Sequence, residues 1–359
     1  MIWTRFFRAF ARKTRTRKWR STSRARATAM KRARGAKGSG EFISPICTGC
    51  ASGKGVSCTP DGGSSAPCAQ RVGCLPEVKV YIRCWGARGS IPVSGQEYLK
   101  YGGDTACLEI RTAANDTVVI VDAGSGVRPL ANQLVEEGRR DYTFLFTHAH
   151  WDHILGFPFF KPLYSPRNSI KIYGCPISQG NMQTLLSKTM SAPYFPVPFE
   201  EVRASIGYKE YCDKPLVIDG MSVETIPLSH PNMGVGFRFT ERDRRFVFLT
   251  DNELGFRHPG GRSFEEYARF CEGADLLIHD AEYTLEDYAQ RRGWGHSTFE
   301  QAMNLALAAN VGLVGLYHHN QDRPDAEVDF MVERARNLAE QRGSATSCFG
   351  VSQTWSVTL

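Results

Sequence analysis

The chain has 359 residues, of which 42% are hydrophobic, so it is long enough to bury the core of one large domain or two small ones. No stretch approaches 18 consecutive apolar residues, which argues against a transmembrane helix and a membrane partner. The net charge of +7 is uneven: residues 1–40 contain 14 Lys and Arg and no acid, and the remaining chain has 30 basic against 37 acidic residues.

Residues 1–76 are predicted to be a disordered extension, basic at first and then rich in Cys, Gly and Ser. Apolar residues at the very start share one helical face, which is typical of an organellar transit peptide or a membrane-surface helix. A disordered tail, or upstream DNA translated from a wrongly assigned start codon, is the interpretation we favour, because Gly, Ser and Arg dominate.

Five of the eleven cysteines lie in residues 41–76, and Cys47 and Cys50 form a C-x-x-C pair. No second pair follows at zinc-ribbon spacing, and an odd number of cysteines does not close a disulfide framework. The other six cysteines are scattered singly, as in a reducing cytosol. We therefore predict a linker here and a cytoplasmic protein, or an organellar one if residues 1–40 are a transit peptide.

Residues 77–359 are predicted to form a single layered domain. Apolar segments typical of strands alternate with helical patterns and are separated by Gly, Pro or polar clusters. Such alternation favours an α/β or α+β fold. The predicted strands are KVYIRCW, ACLEIRT, TVVIVDAG, YTFLFTH, SIKIYG, RFVFLTD, ADLLIHD and VGLVGLYHH.

Eight of the nine histidines lie in a few motifs at strand ends, and only His258 falls in a plain loop. The strongest motif, Thr147-His-Ala-His-Trp-Asp-His153, directly follows the apolar residues 142–146. Its three imidazoles and its carboxylate need partners if they are buried, and metal coordination supplies them. His148 and His150 have strand spacing and point to one side, while Asp152 and His153 turn to a neighbouring position. This division predicts two cations, about 3.5–4 Å apart as in two-metal hydrolases.

Further ligands are expected at the ends of later strands. His230 follows residues 223–229, Asp251 follows residues 245–250, and His318 and His319 follow residues 311–317. Taken singly, His230 reads equally as a turn residue and Asp251 as a helix cap. A carboxylate can bridge two metals, and Asp251 is the natural candidate.

Together these motifs resemble the metallo-β-lactamase superfamily, from about residue 78 to residue 359. The resemblance implies an α+β fold, a four-layer αββα sandwich with a dinuclear site at one sheet edge. It assigns His148, His150 and His230 to the first metal, Asp152, His153 and His318 to the second, and Asp251 to both. Asp122 matches an early aspartate that supports the site, and His319 is expected to support the ligands or contact substrate. Zinc fits the histidine-rich set best, although carboxylates also suit manganese or iron.

The segments around Asp280 and His296 resemble the paired loops of tRNase Z-like phosphodiesterases, in which an acid and a histidine flank the substrate phosphate. This sequence has Asp280 where those proteins typically have Glu, so we expect a retained role with altered geometry. Asp280 would keep His296 protonated as an acid for the leaving alkoxide, with Asp152 orienting the nucleophile. The alternative for His296 is a structural bond to Asp280. His279 is expected to support the ligands or contact substrate.

A capping box formed by Ser297 and Glu300 is expected to open a helix over residues 298–310, with His296 just before its N-terminus.

Arg88 lies in a segment that resembles a bacterial subgroup of phosphodiesterase-like hydrolases, and it is expected to contact phosphate; a surface salt bridge is the alternative. Residues 190–199 are rich in Pro and aromatics and form either a lid for base stacking or a cover for the core or a dimer contact.

The first choice of function is a metal-dependent phosphodiesterase acting on a small or cyclic nucleotide. The resemblance also admits a tRNA 3′-processing endonuclease and a thioester or lactone hydrolase of the glyoxalase II type. A non-catalytic metal-bound sensor is disfavoured by the complete ligand set. Because residues 158–211 lack a basic, glycine-rich arm and the domain is acidic, we expect nucleic acid to be a disfavoured partner. A homodimer is common among such superfamily members.

Overall fold

The structure is a computed structural model that describes residues 79–175, 181–210 and 215–359. The predicted extension, residues 1–76, lies outside the described residues. The strands are β1 (Tyr81–Gly86), β2 (Cys107–Arg111), β3 (Val118–Val121), β4 (Asp141–Leu145), β5 (Ser169–Gly174), β6 (Ser205–Glu210), β7 (Leu216–Ile218), β8 (Met221–Pro227), β9 (Val235–Glu241), β10 (Arg244–Leu249), β11 (Leu276–Asp280), β12 (Leu313–Tyr317), β13 (Ser347–Gly350) and β14 (Ser356–Thr358). The α-helices are α1 (Val127–Glu136), α2 (Trp151–Ile154), α3 (Met182–Thr189), α4 (Phe264–Cys271), α5 (Leu285–Arg291), α6 (Phe299–Ala308) and α7 (Asp325–Gln341).

The described strands form two seven-stranded sheets. The first has the order β14-β1-β2-β3-β4-β5-β6, and the second has the order β13-β12-β11-β10-β9-β8-β7. Neighbouring strands run parallel from β3 to β6 in the first sheet and from β10 to β13 in the second. The carboxyl ends of parallel neighbours lie at the same edge of a sheet, so loops that follow β4, β10, β11 and β12 lie at two such edges.

Three apolar clusters separate the layers. One holds inward side chains of both sheets, such as Ile82 and Val121 from the first and Phe237 and Ile278 from the second. A second cluster packs α1 against the outer face of the first sheet, and a third packs α4, α6 and α7 against the outer face of the second. The layer order is therefore helices, sheet, sheet, helices, and the predicted αββα sandwich is confirmed.

All eight apolar segments predicted to be strands overlap a strand, and the segment SIKIYG coincides with β5. The predicted helix after His296 also exists, but its capping box lies one residue later than expected. Thr298 is the N-cap and forms a reciprocal box with Gln301. The Ser297 hydroxyl is engaged elsewhere, because it donates to the carbonyl of Asn252 at 2.6 Å.

Two sequence expectations concern the cysteines, predicted to be unpaired, and the lack of a membrane-spanning helix. Cys84, Cys107, Cys271 and Cys348 are free and buried, whereas Cys175 is disulfide-bonded and so departs from the expectation of single, unpaired cysteines. Within the described ranges, no helix is both long enough and apolar enough to cross a bilayer.

Candidate metal centre

The site is built by five loops that follow strand ends. The loop after β4 brings His148 and His150, and the short helix α2 that follows it brings Asp152 and His153. Loops after β8, β10 and β12 bring one residue each from the second sheet, and β11 ends at Asp280. All seven predicted ligands meet where these loops converge, and six of them are buried, the exception being the partly buried His150.

Asp251 presents one carboxylate oxygen to each half of the site. Its Oδ2 atom lies 3.5 Å from Nε2 of His148 and 3.7 Å from Nε2 of His230. Its Oδ1 atom lies 3.2 Å from Nε2 of His153 and 3.4 Å from Nε2 of His318. This arrangement gives Asp251 the position of a carboxylate shared between two ligand groups.

The donor set fits metal ions. Two groups have ligand atoms within 4.8 Å of one another: His148, His150, His230 and Asp251 in one, and Asp152, His153, His318 and Asp251 in the other. The Nε2 atoms of His148 and His153 are buried and have no hydrogen-bond partner among the described residues. A buried ring nitrogen without a partner is costly, and a cation removes that cost. Divalent cations therefore suit these residues.

A third group, Asp280, His296 and His318, is equally compact. It is held by a hydrogen bond, because Nδ1 of His296 lies 2.8 Å from Oδ2 of Asp280. The rings of His296 and His318 stack with centroids 4.8 Å apart. His296 thus lies directly beside the predicted ligand His318, and it belongs to neither of the other two groups.

The outward nitrogen of several candidate ligands is fixed by a hydrogen bond. Nδ1–H of His153 donates to Asp122 at 2.8 Å, and Asp122 also accepts from the backbone N–H of Thr147. Nδ1–H of His318 donates to Glu282 at 3.0 Å, and Nδ1–H of His230 donates to the carbonyl of Gly295 at 2.9 Å. Such bonds fix the ring orientation and direct the other nitrogen toward a metal.

Electrostatics prepare the same residues for cations. Burial lowers the pKa of His230 to about 3 and that of His148 well below its usual value, so both rings are neutral, the form in which imidazole binds a metal. Burial alone would raise the pKa of Asp251, but the charges of His318 and His153 lower it well below its usual value. Burial alone would lower the pKa of His153 and His318, but the neighbouring carboxylates raise both well above the usual value, so cation binding would displace protons from these rings.

Three of these residues have left-handed backbone that side chains rarely adopt: Asp122 (φ 61°), Asp251 (φ 51°) and His318 (φ 58°). Such conformations cost on the order of 1–3 kcal/mol each and persist where the surroundings hold them in place. Their concentration at one site is typical of a functional centre.

His296 is set up as a proton donor. Burial alone would lower its pKa, but the carboxylates of Glu282 and Asp280 raise it to about 9. The Nδ1–H donates to Asp280, which leaves Nε2 as the second protonated nitrogen at neutral pH. His296 can therefore give up a proton to a group placed beside the metal ligands.

Other predicted site residues have protein partners of their own. Arg88 is fully buried, and its guanidinium donates to the carbonyls of Gly102, Asn320 and Arg323, which excludes the surface salt bridge. His319 is buried and donates to the carbonyl of Val351 at 2.8 Å.

His279 lies next to the Asp280 that braces His296. Its Nδ1–H donates to the carbonyl of Asp280 at 2.6 Å, and its Nε2 accepts from Asn252. Like His319, it is supplied with partners from the protein and helps to hold the loop ends together.

Glu253 is a supporting residue that the sequence analysis missed. It is buried, and its carboxylate accepts hydrogen bonds of 2.7 Å from the backbone N–H of both Gly293 and Gly295 and from the Tyr288 hydroxyl. His258, predicted to be a plain loop residue, donates to the same carboxylate at 2.8 Å and is buried. No periodic pattern marks these residues; the one available signal was the position of Glu253 two residues after Asp251.

The chain belongs to the β-lactamase superfamily. The sequence model of the family described as "Beta-lactamase superfamily domain" matches residues 117–319, more than half of the chain and the part that holds all the candidate ligands. The protein is a metal-dependent hydrolase of the metallo-β-lactamase fold.

Among characterised proteins, the chain is similar to the ribonuclease Z of Haloarcula marismortui, with 25% identity over 266 residues that cover 61% of this chain and 82% of the relative. The expectation that nucleic acid is a disfavoured partner is therefore wrong. It rested on the lack of a basic, glycine-rich arm in residues 158–211 and on the acidic net charge of the domain, whereas the field that a substrate meets is set locally, above all by bound cations.

Solved structures show the same fold. The metallo-β-lactamase fold protein YhfI from Bacillus subtilis aligns with a TM-score of 0.58 at 15% identity, covering 78% of this chain and all of its own. Unliganded yeast PDE1 aligns with a TM-score of 0.58 at 16% identity, covering 79% of this chain and all of its own.

Proposed function

We propose that the protein is a dinuclear metal-dependent phosphodiesterase that hydrolyses a nucleotide phosphodiester, with a small or cyclic nucleotide as the first candidate substrate. The observation that carries this proposal is the placement of His296, which is braced by Asp280 and stacked on the candidate ligand His318. Its pKa of about 9 lets it act as an acid at neutral pH. Phosphodiester cleavage needs an acid for its leaving alkoxide beside a centre of positive charge, whereas thioester cleavage releases a thiolate that leaves without one.

Two divalent cations, zinc first, would be held by the two ligand groups, with Asp251 shared between them. When bound, the cations would lower the pKa of a water molecule to near neutrality and would neutralise the charge that builds up on phosphorus.

Asp152 is placed to orient the attacking water. Its pKa is held well below the usual value, chiefly by the charge of His153 against the opposing effect of burial, so the carboxylate is ionised. The backbone N–H of Ser90 donates to its Oδ2 atom at 2.9 Å and fixes the carboxylate plane. His296 then supplies a proton from Nε2 to the oxygen that leaves phosphorus, while its Nδ1–H remains bonded to Asp280.

A second candidate function is an endonuclease that processes tRNA 3′ ends, and the similarity to a ribonuclease Z favours it. The chemistry at phosphorus is the same in both cases. The two candidates differ in how much of the substrate lies outside the site.

The experiment is a substrate panel with zinc- and manganese-loaded full-length protein: bis-p-nitrophenyl phosphate, cyclic nucleotides, a tRNA precursor and a thioester. We expect phosphodiester hydrolysis, which Asp251→Ala abolishes in protein whose metal content has been counted. Thioester cleavage without phosphodiester cleavage would overturn the proposal, as would full activity of Asp251→Ala. Cleavage of the tRNA precursor alone selects the second candidate.

A further inference from the structure

We propose that the cavity beside His296 is a subsite for the leaving nucleoside, whose base stacks on Trp294. This inference rests on the proposed phosphodiesterase function and deepens it. Its aromatic and cationic side chains, Trp294 and Arg291, are not candidate metal ligands.

The cavity has a volume of about 220 Å³ and opens next to the metal centre. Its lining includes Glu282 and His296, and also Tyr283, Arg291, Trp294 and Gln321. In the proposed function His296 lies beside the leaving oxygen, and it also lines this cavity, so a group that fills the cavity lies next to that oxygen. The cavity therefore lies on the leaving-group side of the scissile phosphate, and its volume suits one nucleoside-sized group.

Trp294 gives this cavity an aromatic platform. Its side chain is 61% exposed, which is unusual for the largest apolar side chain and leaves a ring face available. Its flanking residues are fixed, because Glu253 accepts hydrogen bonds from the N–H groups of Gly293 and Gly295. A platform held at both neighbours loses little freedom when a base stacks on it.

The polar groups of the walls suit the edges of a base and a ribose. Arg291 is anchored by a 3.0 Å hydrogen bond to Asp287 and lies over the ring of Tyr283. These contacts hold its guanidinium, a cationic hydrogen-bond donor, in the wall of the cavity. An aromatic face and a cationic side chain on the walls of one cavity together are the chemistry of a nucleoside site.

The test compares substrates that differ only in the leaving group: adenylyl-adenosine, and the methyl esters of adenosine 3′- and 5′-monophosphate, in which methanol replaces the leaving nucleoside. The variants are Trp294→Ala, Trp294→Phe and, as a matched control, Phe330→Ala, another exposed aromatic residue that lies on α7. Thermal unfolding of each variant checks that it folds.

We expect Trp294→Ala to raise the KM for adenylyl-adenosine about 5- to 150-fold relative to the methyl esters, as for the loss of one stacked base. Trp294→Phe should raise this KM less than Trp294→Ala does, because a phenyl ring still offers a stacking face. Phe330→Ala should change the KM of neither substrate type. Equal changes for both substrate types, or none, would overturn the subsite.

A readout that does not need turnover separates this inference from the proposed function. Adenosine is titrated against the protein while tryptophan fluorescence is followed, with Trp294→Phe as the reference. We expect quenching that is lost in Trp294→Phe. If no phosphodiester is cleaved but this quenching occurs, the proposed function fails and the nucleoside site stands. If phosphodiesters are cleaved and quenching is the same in both proteins, the nucleoside site fails and the proposed function stands.

Discussion

His296 lies between two carboxylates, and its protonation depends on them. Glu282 and Asp280 raise its pKa to about 9 from an ordinary value of about 6.5, against the opposing effect of burial. The ring is therefore charged below about pH 9 and becomes neutral as the pH rises through that value. The stability gained from the charged ring follows the same sign: it is complete below about pH 6.5 and is lost as the pH rises through about 9.

If His296 is the acid of the reaction, kcat should be sustained through neutrality and fall above about pH 9. Replacing Asp280 by Asn removes one of the two carboxylates, so we expect the pKa of His296 to decrease and the alkaline limb of the pH profile to shift toward neutral pH. A pH–rate profile of both proteins, with the exposed Asp243→Asn as control, measures this shift. An alkaline limb that stays in place would show that another group titrates.

The segment between α5 and α6 connects three functions within a few residues. It carries Trp294 and His296, and the carbonyl of Gly295 fixes the ring of His230. Gly295 has φ +100°, and a Cβ atom there would lie 2.1 Å from Nδ1 of His230. Gly293 also has a positive φ, +87°, but a Cβ atom there would contact nothing within 4 Å.

Gly295→Ala should therefore weaken metal binding, because the methyl group displaces His230. We expect a decrease of roughly 10- to 100-fold in zinc affinity, as for the loss of a group that orients a ligand. Gly293→Ala is the matched control, since it carries a similar backbone cost without the contact. Competition with a chromophoric chelator measures both; equal affinities in the two variants would contradict the proposed role of Gly295.

At the level of elements, strand ends explain what the sequence could predict. Short apolar segments identify β4, β10 and β12, and each is followed within a few residues by a His or Asp, so the candidate ligands could be read directly. The residues that hold these ligands in place could not be predicted from the sequence. Glu282 reaches His318 across 36 residues of sequence and Glu253 reaches Gly295 across 42, and neither spacing follows a helical or strand period.

Local competition explains the helix boundary. Ser297 and Thr298 are both good N-cap residues, and the sequence does not say which of the two side chains forms a hydrogen bond to another segment instead of capping the helix. In the structure Ser297 bonds the backbone of the segment after Asp251, which leaves Thr298 to cap α6.

For the whole molecule, the site lies between the two sheets. The ligands after β4 come from the first sheet, and His230, Asp251 and His318 come from the second. Cations held by both would join the two halves of the sandwich. Their binding would stabilise the folded state and not the unfolded chain.

Removal of the metals should therefore lower Tm. At free metal concentrations about 1,000 times Kd, binding adds about 4 kcal/mol, which corresponds to a decrease of roughly 10 °C when a chelator is added. Calorimetry of loaded and chelated protein measures the change, and Asp251→Ala should show little of it. An unchanged Tm in protein that is shown to lose its metals would contradict this prediction.

The left-handed backbone at Asp251 and His318 has a consequence for engineering. Glycine adopts such a conformation without strain, so Asp251→Gly or His318→Gly would relieve about 1–3 kcal/mol while deleting a candidate ligand. In the absence of metal it would also remove a buried charged or polar group. In the metal-free protein, stability and reactivity therefore favour different residues at these positions, and a search for heat-resistant variants carried out without metal would select against the site itself.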